Sequence, residues 1–326
     1  MNATGSGAVV GVDVGGSGLR LQFVYAGRRS PVHTAPGARI VDHGVDVAAL
    51  TADAARLLAE GGVGPGADGG ARLDVAAVCW SQRGLLFLSD PTEVVSAVAS
   101  GLGATRTAVV SDAVASLVGA LGSVRPGAVV AAGTGAVAFG TDFGARDTSV
   151  WRLVDGWGHV LGDRGSAAWV GLLGLQAGLR HHDGLPDGSE RLLVAGEAVF
   201  GPTPRWPRRV MTGSNAPELL ASFAPHVVDA ALAGEAMAQQ ICQEAGESLA
   251  QSLLSAAAGI ASPTLVATGG LLDAQPVRAA LESSLADAGA TLTPAAGGAL
   301  EGAVILATTL AETGTIPRHP AYVHLS

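Results

Sequence analysis

The stretch AVVGVDVGGSGLRLQFVYAG, residues 8–27, decides how the N-terminal part of the chain folds. A short apolar run rich in valine ends at Val14, glycines follow, and an extended pattern resumes at Leu19. Two strand-like runs separated by a few glycine-rich residues predict a β-hairpin. A dinucleotide-binding βαβ unit would instead place a helix directly after the glycines. The sequence therefore predicts strand, turn and strand here.

The turn of this hairpin contains groups that suit a bound anion. Glycines and a serine can turn several backbone N–H groups toward one point, which forms a nest for phosphate. The candidates are Gly15, Gly16 and Ser17. Asp13, at the end of the strand, would hold Mg²⁺ through water, because this ion sheds its hydration shell reluctantly. A turn that needs glycine only for its conformation explains the same residues equally well.

The same arrangement occurs a second time in AVVAAGTGAVAFGTD, residues 128–142. Gly133, Thr134 and Gly135 form its turn, and the threonine hydroxyl can donate to a phosphate. Such an internal echo indicates two related lobes. Two glycine hairpins with hydroxyl side chains, one in each lobe, would clamp a polyphosphate, so the pair favours phosphate binding over plain turns.

Strand-like and helical segments alternate along the rest of the chain, which predicts an α/β fold. Its length of 326 residues favours two lobes over one. The prolines of GPTPRWPRR, residues 201–209, predict a loop. Helical patterns cover residues 46–62, 91–103, 167–182, 275–289 and 299–314, and almost all of 217–260.

Composition and charge argue against several classes of function. The net charge is −9, and an acidic chain without a basic stripe argues against nucleic acid as the main partner. No apolar run reaches the ~18 residues needed to span a bilayer, and the first residues lack the pattern of a signal peptide. Cys79 and Cys242 are too few for a cysteine-ligated zinc or iron–sulfur site within one chain. We expect a cytoplasmic protein with no membrane partner.

Two further segments place a carboxylate or bare backbone where a strand meets a helix. Asp112, after Ser111, is a candidate general base that takes a proton from a substrate hydroxyl during phosphoryl transfer. An N-cap or an ordinary first-turn acid is the alternative for this residue. Gly269 and Gly270, in ATGGLLDAQPV, would let a planar ligand approach the backbone, and a tight turn explains them equally well.

Together these motifs resemble the sugar kinases and ATPases of the actin/Hsp70/hexokinase superfamily. Within it, the chain is most similar to N-acetylglucosamine kinases and the BadF/BadG-type ATPase family. The likeness runs across nearly the whole chain in the same order. It rests on GVDVGGSGLR (11–20), VVSDAVASL (109–117), AAGTGAVAFG (131–140), GWGHVLGDRGSAAWVG (156–171) and VATGGLLDAQPV (266–277).

The resemblance implies a two-lobed actin-like ATPase fold, with a ribonuclease-H-like sheet in each lobe and an interlobe cleft. The first lobe would cover residues 1–115 and be completed by 299–326, and the second would cover 116–298. ATP and Mg²⁺ would lie between the glycine hairpins. Ser17 and Thr134 match hydroxyls that contact the ATP phosphates. Gly269 and Gly270 would flank the adenosine, and Asp112 would face a sugar hydroxyl, by analogy the 6-hydroxyl.

The densest polar segment, GWGHVLGDRGS, is similar to the sugar-side motif of the family. A sugar must be held by converging N–H groups and a carboxylate, and glycines let the main chain approach it. Packing in the core is the alternative for Trp157, and a structural role is the more frequent one for His159. The resemblance implies sugar contacts by Gly156, Trp157, Gly158 and Asp163.

Two departures from the family pattern concern the substrate. Residues 31–44 contain no Asn, where family members usually carry one that binds the sugar. Arg83 and Arg164 stand where the family has small or acidic residues. Because guanidinium pairs bidentately with carboxylate or phosphate, they would suit an acidic group on a modified sugar. Solvated or ion-paired arginines are the alternative.

We therefore expect an ATP- and Mg²⁺-dependent kinase that phosphorylates an amino sugar, N-acetylglucosamine or glucosamine, with a homodimer as its candidate assembly. One alternative is a BadF/BadG-type ATPase that acts as a conformational activator of a partner protein. Those activators carry an iron–sulfur cluster, and Cys79 and Cys242 lack the close grouping it needs. A sugar sensor without catalytic activity is the other alternative.

Overall fold

The structure, a computed structural model, describes residues 7–15, 18–37, 40–41, 44–64, 73–82, 84–85, 90–146, 148–212 and 215–326. The chain forms two compact units. The first comprises residues 1–127, 141–151 and 295–326, and the second comprises residues 128–140 and 152–294.

Strands and helices alternate in both units, as the sequence predicts. The strands are β1 (Ala8–Val14), β2 (Leu19–Tyr25), β3 (Arg28–Arg29), β4 (His33–Ala35), β5 (Ile40–Val41), β6 (Gly44–Val45), β7 (Val75–Gln82), β8 (Thr107–Ser111), β9 (Gly127–Ala132), β10 (Ala136–Thr141), β11 (Trp151–Asp155), β12 (Thr264–Thr268), β13 (Leu292–Thr293) and β14 (Val323–Leu325). The helices are α1 (Val47–Glu60), α2 (Pro91–Leu102), α3 (Asp112–Leu121), α4 (Ala167–His182), α5 (Glu190–Phe200), α6 (Trp206–Met211), α7 (Ala216–Ala221), α8 (Ala224–Leu232), α9 (Ala236–Ala257), α10 (Gln275–Asp287) and α11 (Ala299–Thr313).

The sheet of the first unit has the strand order β14-β8-β7-β1-β2-β3, with β4 also paired to β2. β1 and β2 form the predicted hairpin, antiparallel and with Val14 opposite Leu19. β1, β7 and β8 are parallel to one another, whereas β14 runs antiparallel to β8. Val10, Trp80 and Val109 of the parallel strands are fully buried, which explains why these strands read as continuous apolar runs.

The boundary between the units differs from the predicted one, because residues 116–127, 141–151 and 295–298 belong to the first unit. Helix α3 packs against α11, and a side chain on Gly119 would overlap the backbone of Gly298. Trp151 lies with its ring centroid 4.9 Å from that of His319, near the C-terminus. These contacts join residues far apart in sequence, so the local patterns could not reveal them.

The sheet of the second unit has the order β11-β10-β9-β12-β13, and β9 and β10 flank the second glycine-rich turn. Helices α4 to α10 supply most of its core, which includes the fully buried side chains of Phe223, Val227 and Leu253. The helical pattern predicted over residues 217–260 appears as three successive helices, α7, α8 and α9.

Residues 201–209, predicted as a loop, are largely helical, so that prediction is wrong. A 3₁₀ turn covers Thr203–Arg205, and α6 follows directly. Pro204 and Pro207 occupy first-turn positions of these short helices, where proline is tolerated. Trp206 is buried, and its Nε1 donates to the carbonyl oxygen of Gly201 at 2.8 Å.

Membrane insertion has no helical candidate in the described part of the chain, where no helix is both long and apolar enough to cross a bilayer.

Candidate functional site

The carboxyl ends of the parallel strands bring five polar residues to one edge of the first sheet. Asp13 on β1 lies opposite Ser81 on β7, and Gln82 lies opposite Ser111 on β8. Asp112 follows as the first residue of α3. Ligands of open α/β sheets bind at this edge, where the strands end and the following turns begin. The structure thus brings Asp13 and Asp112 to the edge at which chemistry is expected.

Asp13 is almost completely buried, and both of its carboxylate oxygens have partners. The guanidinium of Arg20 lies 2.5 Å from Oδ2, and the hydroxyl of Ser81 donates to Oδ1 at 3.1 Å. Mg²⁺ is often held by one or two carboxylates together with waters and substrate phosphates. The carboxylate of Asp13 would suit an ion held through water, and the assignment of Mg²⁺ to this residue stays a prediction. Arg20, whose side chain is 56% exposed, would compete with that ion for Oδ2.

Asp112 begins helix α3 but does not cap it. Ser111 is the N-cap, and its hydroxyl accepts a hydrogen bond from the Val114 amide at 3.4 Å. The Asp112 carboxylate accepts from the Ala113 amide at 3.0 Å and remains partly exposed. A negative charge in the first turn is favoured by the helix dipole. Of the two alternatives for Asp112, the N-cap is wrong, since Ser111 performs that role, and the first-turn position is confirmed. The general-base role stays a prediction.

The second glycine-rich turn, residues 133–135, is tied to the start of helix α4. The Ala167 and Ala168 amides donate to the carbonyl oxygens of Gly133 and Thr134, at 2.9 and 3.1 Å. Two N–H groups at this helix start are thus used within the protein. Thr134 is exposed. A phosphate contact would therefore come from the turn itself rather than from these two amides.

Two buried carboxylates hold the 156–166 loop together. Asp155 accepts from the backbone amides of Asp163 and Arg164, at 2.7 and 3.1 Å. Asp163 accepts from the Gly158 amide at 3.1 Å. Both aspartates have positive φ angles, near 60° and 54°, which asparagine and aspartate adopt more readily than most residues. The loop is therefore folded back on itself around acidic groups.

Asp163 also faces the second glycine-rich turn. A Cβ atom on Gly135 would lie only 2.7 Å from Asp163 Oδ2, so the carboxylate packs directly against the bare backbone there. This close approach explains the glycine at position 135 without a ligand. It also joins the predicted sugar-side loop to the predicted phosphate-side turn within the second unit.

Trp157 lies on the surface of this loop, so the core-packing alternative for this residue is wrong. Its side chain is 65% exposed, and Val160 and Leu161 are exposed still further. Gly156 and Gly158 flank the ring and have positive φ angles. An exposed ring on a constrained backbone is available to contact a ligand, as the resemblance implies for sugar.

The remaining predicted residues lie in different surroundings. Gly269 has a φ of 111°, and a side chain on it would overlap the backbone of Ala132, so packing alone requires glycine here. Gly270 has open space on its Cβ side. Arg164 is ion-paired, with Nε 3.3 Å from Asp155 Oδ2. Gly16, Ser17 and Arg83 lie outside the described residues.

Sequence reasoning missed Asp155 and Arg20. Asp155 ends β11 and is nine residues before the amide of Arg164 that it binds, so only the folded loop reveals its role. A signal was available, since aspartate followed by glycine is typical of a tight turn. Arg20 lies opposite Asp13 in the hairpin, and this register could have been read from the turn length.

Comparison with known families shows where the chain belongs. Residues 92–307 match the BadF/BadG/BcrA/BcrD ATPase family. The chain is a member of this family. The match includes Asp112, the second glycine-rich turn and the 156–166 loop. No curated protein sequence matches the chain.

Solved structures confirm the predicted two-lobed, actin-like α/β fold class. The chain resembles a putative N-acetylglucosamine kinase from Chromobacterium violaceum, with 22% identity, a TM-score of 0.69 and coverage of 92% of this chain and 98% of the other. A putative N-acetylglucosamine kinase from Porphyromonas gingivalis is 18% identical, with a TM-score of 0.70, and the match covers 94% of this chain and 100% of the other. A ROK family glucokinase from Streptomyces griseus, in complex with glucose and AMPPNP, is 16% identical, with a TM-score of 0.52. The match covers 94% of this chain and 100% of the other. At these identities the likeness concerns the fold alone.

The carboxylate of Asp155 leads to a prediction about the loop. Asparagine has the same shape as aspartate and also adopts a positive φ angle readily. In Asp155→Asn, however, an NH₂ group replaces one of the two oxygens that accept hydrogen bonds from backbone amides. Leaving such a buried donor unpaired costs about 1–3 kcal/mol. For a sugar that this loop binds during turnover, we expect the apparent KM to rise about tenfold, measured by initial rates.

Asp142→Asn is the matched control, because Asp142 also accepts from two loop amides, those of Gly144 and Val150, outside the 156–166 loop. This control should leave the KM for sugar unchanged. Equal KM values for wild type and Asp155→Asn would contradict a role of Asp155 in shaping the sugar-side loop.

Proposed function

We propose that this ATPase-family member is an ATP- and Mg²⁺-dependent kinase that phosphorylates an amino sugar, N-acetylglucosamine or glucosamine, at its 6-hydroxyl. The observation that carries the proposal is the position of Asp112. Asp112 is the first residue of a helix at the carboxyl edge of the parallel strands, and the N-cap of that helix is Ser111, not Asp112. The family membership and the fold of the putative kinases named above support the same function.

In this proposal Asp112 accepts the proton of the sugar hydroxyl as the oxygen attacks the terminal phosphorus of ATP. Proton transfer to a positioned carboxylate contributes about 10²–10⁴ to the rate. Asp13 would hold Mg²⁺ through water, and that ion would supply neutralisation of the phosphate charges. Phosphoryl transfer otherwise depends on positioning and electrostatic stabilisation.

The 156–166 loop would bind the sugar. Trp157 offers its exposed ring, and the glycines beside it let main-chain groups approach the hydroxyls. Asp163 would accept from a sugar hydroxyl while it holds the Gly158 amide, since a carboxylate accepts about four hydrogen bonds. The hydroxyl of Thr134 and the backbone of the two glycine-rich turns would contact the phosphates, with Gly270 beside the adenosine.

The test is an ADP-release assay with purified protein, ATP, Mg²⁺ and a panel of neutral and acidic amino sugars. A kinase releases ADP only when its sugar is present, and mass spectrometry of the product locates the phosphate. ADP release that needs a protein partner instead of a sugar would indicate an activator. Saturable sugar binding without ADP release would indicate a sensor and would overturn the proposal.

The environment of the two thiols disfavours the activator alternative. Cys79 lies in β7 of the first unit and Cys242 in α9 of the second, and both are buried. Burial raises the pKa of the Cys79 thiol, and it raises that of Cys242 to about 11. Cluster ligation and nucleophilic reactions both require the thiolate, which burial disfavours.

These pKa shifts predict that the native thiols resist modification. A thiol whose pKa is near 11 is only about 0.1% thiolate at about pH 8, and it gains reactivity only as the pH rises further. We expect a disulfide reagent such as DTNB to leave the native protein unmodified while both thiols of the guanidinium-unfolded chain react within minutes. Rapid release of one equivalent from native protein would contradict the burial of the thiols.

A further inference from the structure

The C-terminal residues and the first turns of helix α2 line a cavity of about 340 Å³ in the first unit. None of the predicted catalytic, nucleotide or sugar residues is among its lining side chains. The polar lining consists of Thr92, Arg318, His319 and His324, and Val95 and Val323 supply apolar walls. A concave site with a few convergent polar groups on an apolar wall is the usual form of a small-ligand site.

His319 presents a hydrogen-bond donor at this cavity. Its Nδ1 accepts from the Ala321 amide at 3.1 Å, so the ring proton of the neutral imidazole lies on Nε2. The ring is held between Trp151 and Tyr322, with centroid distances of 4.9 and 4.7 Å. The donor is therefore fixed in direction.

His324 also lines this cavity and has an acceptor without a partner. Its ring forms a hydrogen bond with the backbone of Ala321. Its Nε2 is buried and has no hydrogen-bond partner among the residues that the structure describes. Since the backbone bond must then use Nδ1, the neutral ring carries its proton there and leaves a lone pair on Nε2. A buried acceptor without a partner costs about 1–3 kcal/mol, which a ligand that donates a hydrogen bond would recover.

The charges around the cavity suit an anion. Arg318 is exposed and forms no ion pair within the described ranges. The nearby carboxylate of Asp90 is occupied as the N-cap of α2, where it accepts from the Thr92 amide at 2.8 Å. Burial lowers the pKa of both imidazoles, and the proximity of His324 lowers that of His319 further, while Asp90 partly opposes the shift at His324. Near neutral pH the lining thus offers a guanidinium, an N–H and a hydroxyl as donors, and one lone pair as an acceptor.

We propose that this cavity is a binding site for inorganic phosphate in its protonated form. Arg318, the Nε2–H of His319 and the hydroxyl of Thr92 would donate to the unprotonated oxygens. The P–OH group would donate to Nε2 of His324, which supplies the partner that this atom lacks. Sulfate has the same shape and charge but carries no proton near neutral pH, so it would leave His324 Nε2 unpaired. The site therefore discriminates between two anions of equal size.

The proposal does not rest on the kinase function, and its test measures signals from side chains that line the cavity. Imidazole signals of His319 and His324 would be assigned with His319→Gln and His324→Gln and followed by NMR during titration with inorganic phosphate at constant ionic strength. We expect both signals to shift along one saturation curve. Phosphate bound elsewhere on the protein would leave these two signals in place.

Two comparisons sharpen the test. Sulfate should bind at least about tenfold more weakly than phosphate, because a site built for a donated hydrogen bond rejects an analogue that lacks it. Arg318→Gln, a change at an exposed side chain, should weaken phosphate binding about tenfold, whereas Arg125→Gln, at another exposed arginine of the first unit, should not. Unmoved imidazole signals, equal affinity for sulfate, or no effect of Arg318→Gln would each overturn the proposal.

Discussion

Replacing Asp112 with Asn is expected to lower sugar-dependent ADP release about a hundredfold or more, with little effect on folding. The amide has the same shape and keeps an oxygen that can accept from the Ala113 amide, as the carboxylate does at 3.0 Å. It cannot accept a proton, so the transition state loses its general base. Ser111 continues to cap helix α3, so the thermal midpoint should change by no more than a few degrees.

The matched control for this prediction is Asp46→Asn. Asp46 is also an acid at a helix start in the first unit, and its carboxylate accepts from the Ala49 amide at 3.0 Å. Asparagine is as good an N-cap as aspartate, so turnover and stability should both remain near wild type. Binding of the sugar, measured by calorimetry, should persist in Asp112→Asn. Turnover within about tenfold of wild type in Asp112→Asn would exclude proton acceptance by this residue.

The features that the sequence predicts well are those set by neighbouring residues. The β1–β2 hairpin follows from glycines between two apolar runs, and the start of α3 follows from a serine cap after a buried strand. The predicted helix over 167–182 has the same bounds as α4, because Ser166 caps it and its pattern is unbroken. Each of these signals lies within a few residues of the feature it sets.

The features that escaped prediction depend on contacts between distant or unusual backbone positions. Asp155 acquires its role only when the loop folds back through two positive-φ aspartates. Core packing, the alternative that the residue type suggested for Trp157, is wrong because this residue lies exposed on a loop between two glycines with positive φ angles. Residues 116–127 belong to the first unit because helix α3 packs against helix α11, which lies near the C-terminal end of the chain. Composition and periodicity contain none of this information.

The contact between α3 and α11 leads to the second large prediction. Gly302→Ala places a methyl group that would overlap the carbonyl oxygen of Ala115 and lie 2.6 Å from the backbone nitrogen of Gly119. Backbone atoms cannot turn aside as a flexible side chain can, so the two helices must move apart. Alanine gains only about 0.5–1 kcal/mol in a helix, whereas overpacking costs about 1–3 kcal/mol or more. We expect the free energy of unfolding of the first unit to fall by about 2 kcal/mol.

Thermal unfolding followed by circular dichroism tests this expectation, because a loss of about 2 kcal/mol lowers the midpoint by roughly 4–8 °C in a domain of this size. Gly298→Ala is the control on the same helix. Its added methyl group would come no closer than 3.5 Å to another atom, that of Glu301 Oε2. The control should lose at most about 1 kcal/mol, the difference between glycine and alanine at an N-cap. If Gly302→Ala instead raised the midpoint, helix propensity would outweigh the clash, and α3 and α11 could not be in backbone contact at this glycine.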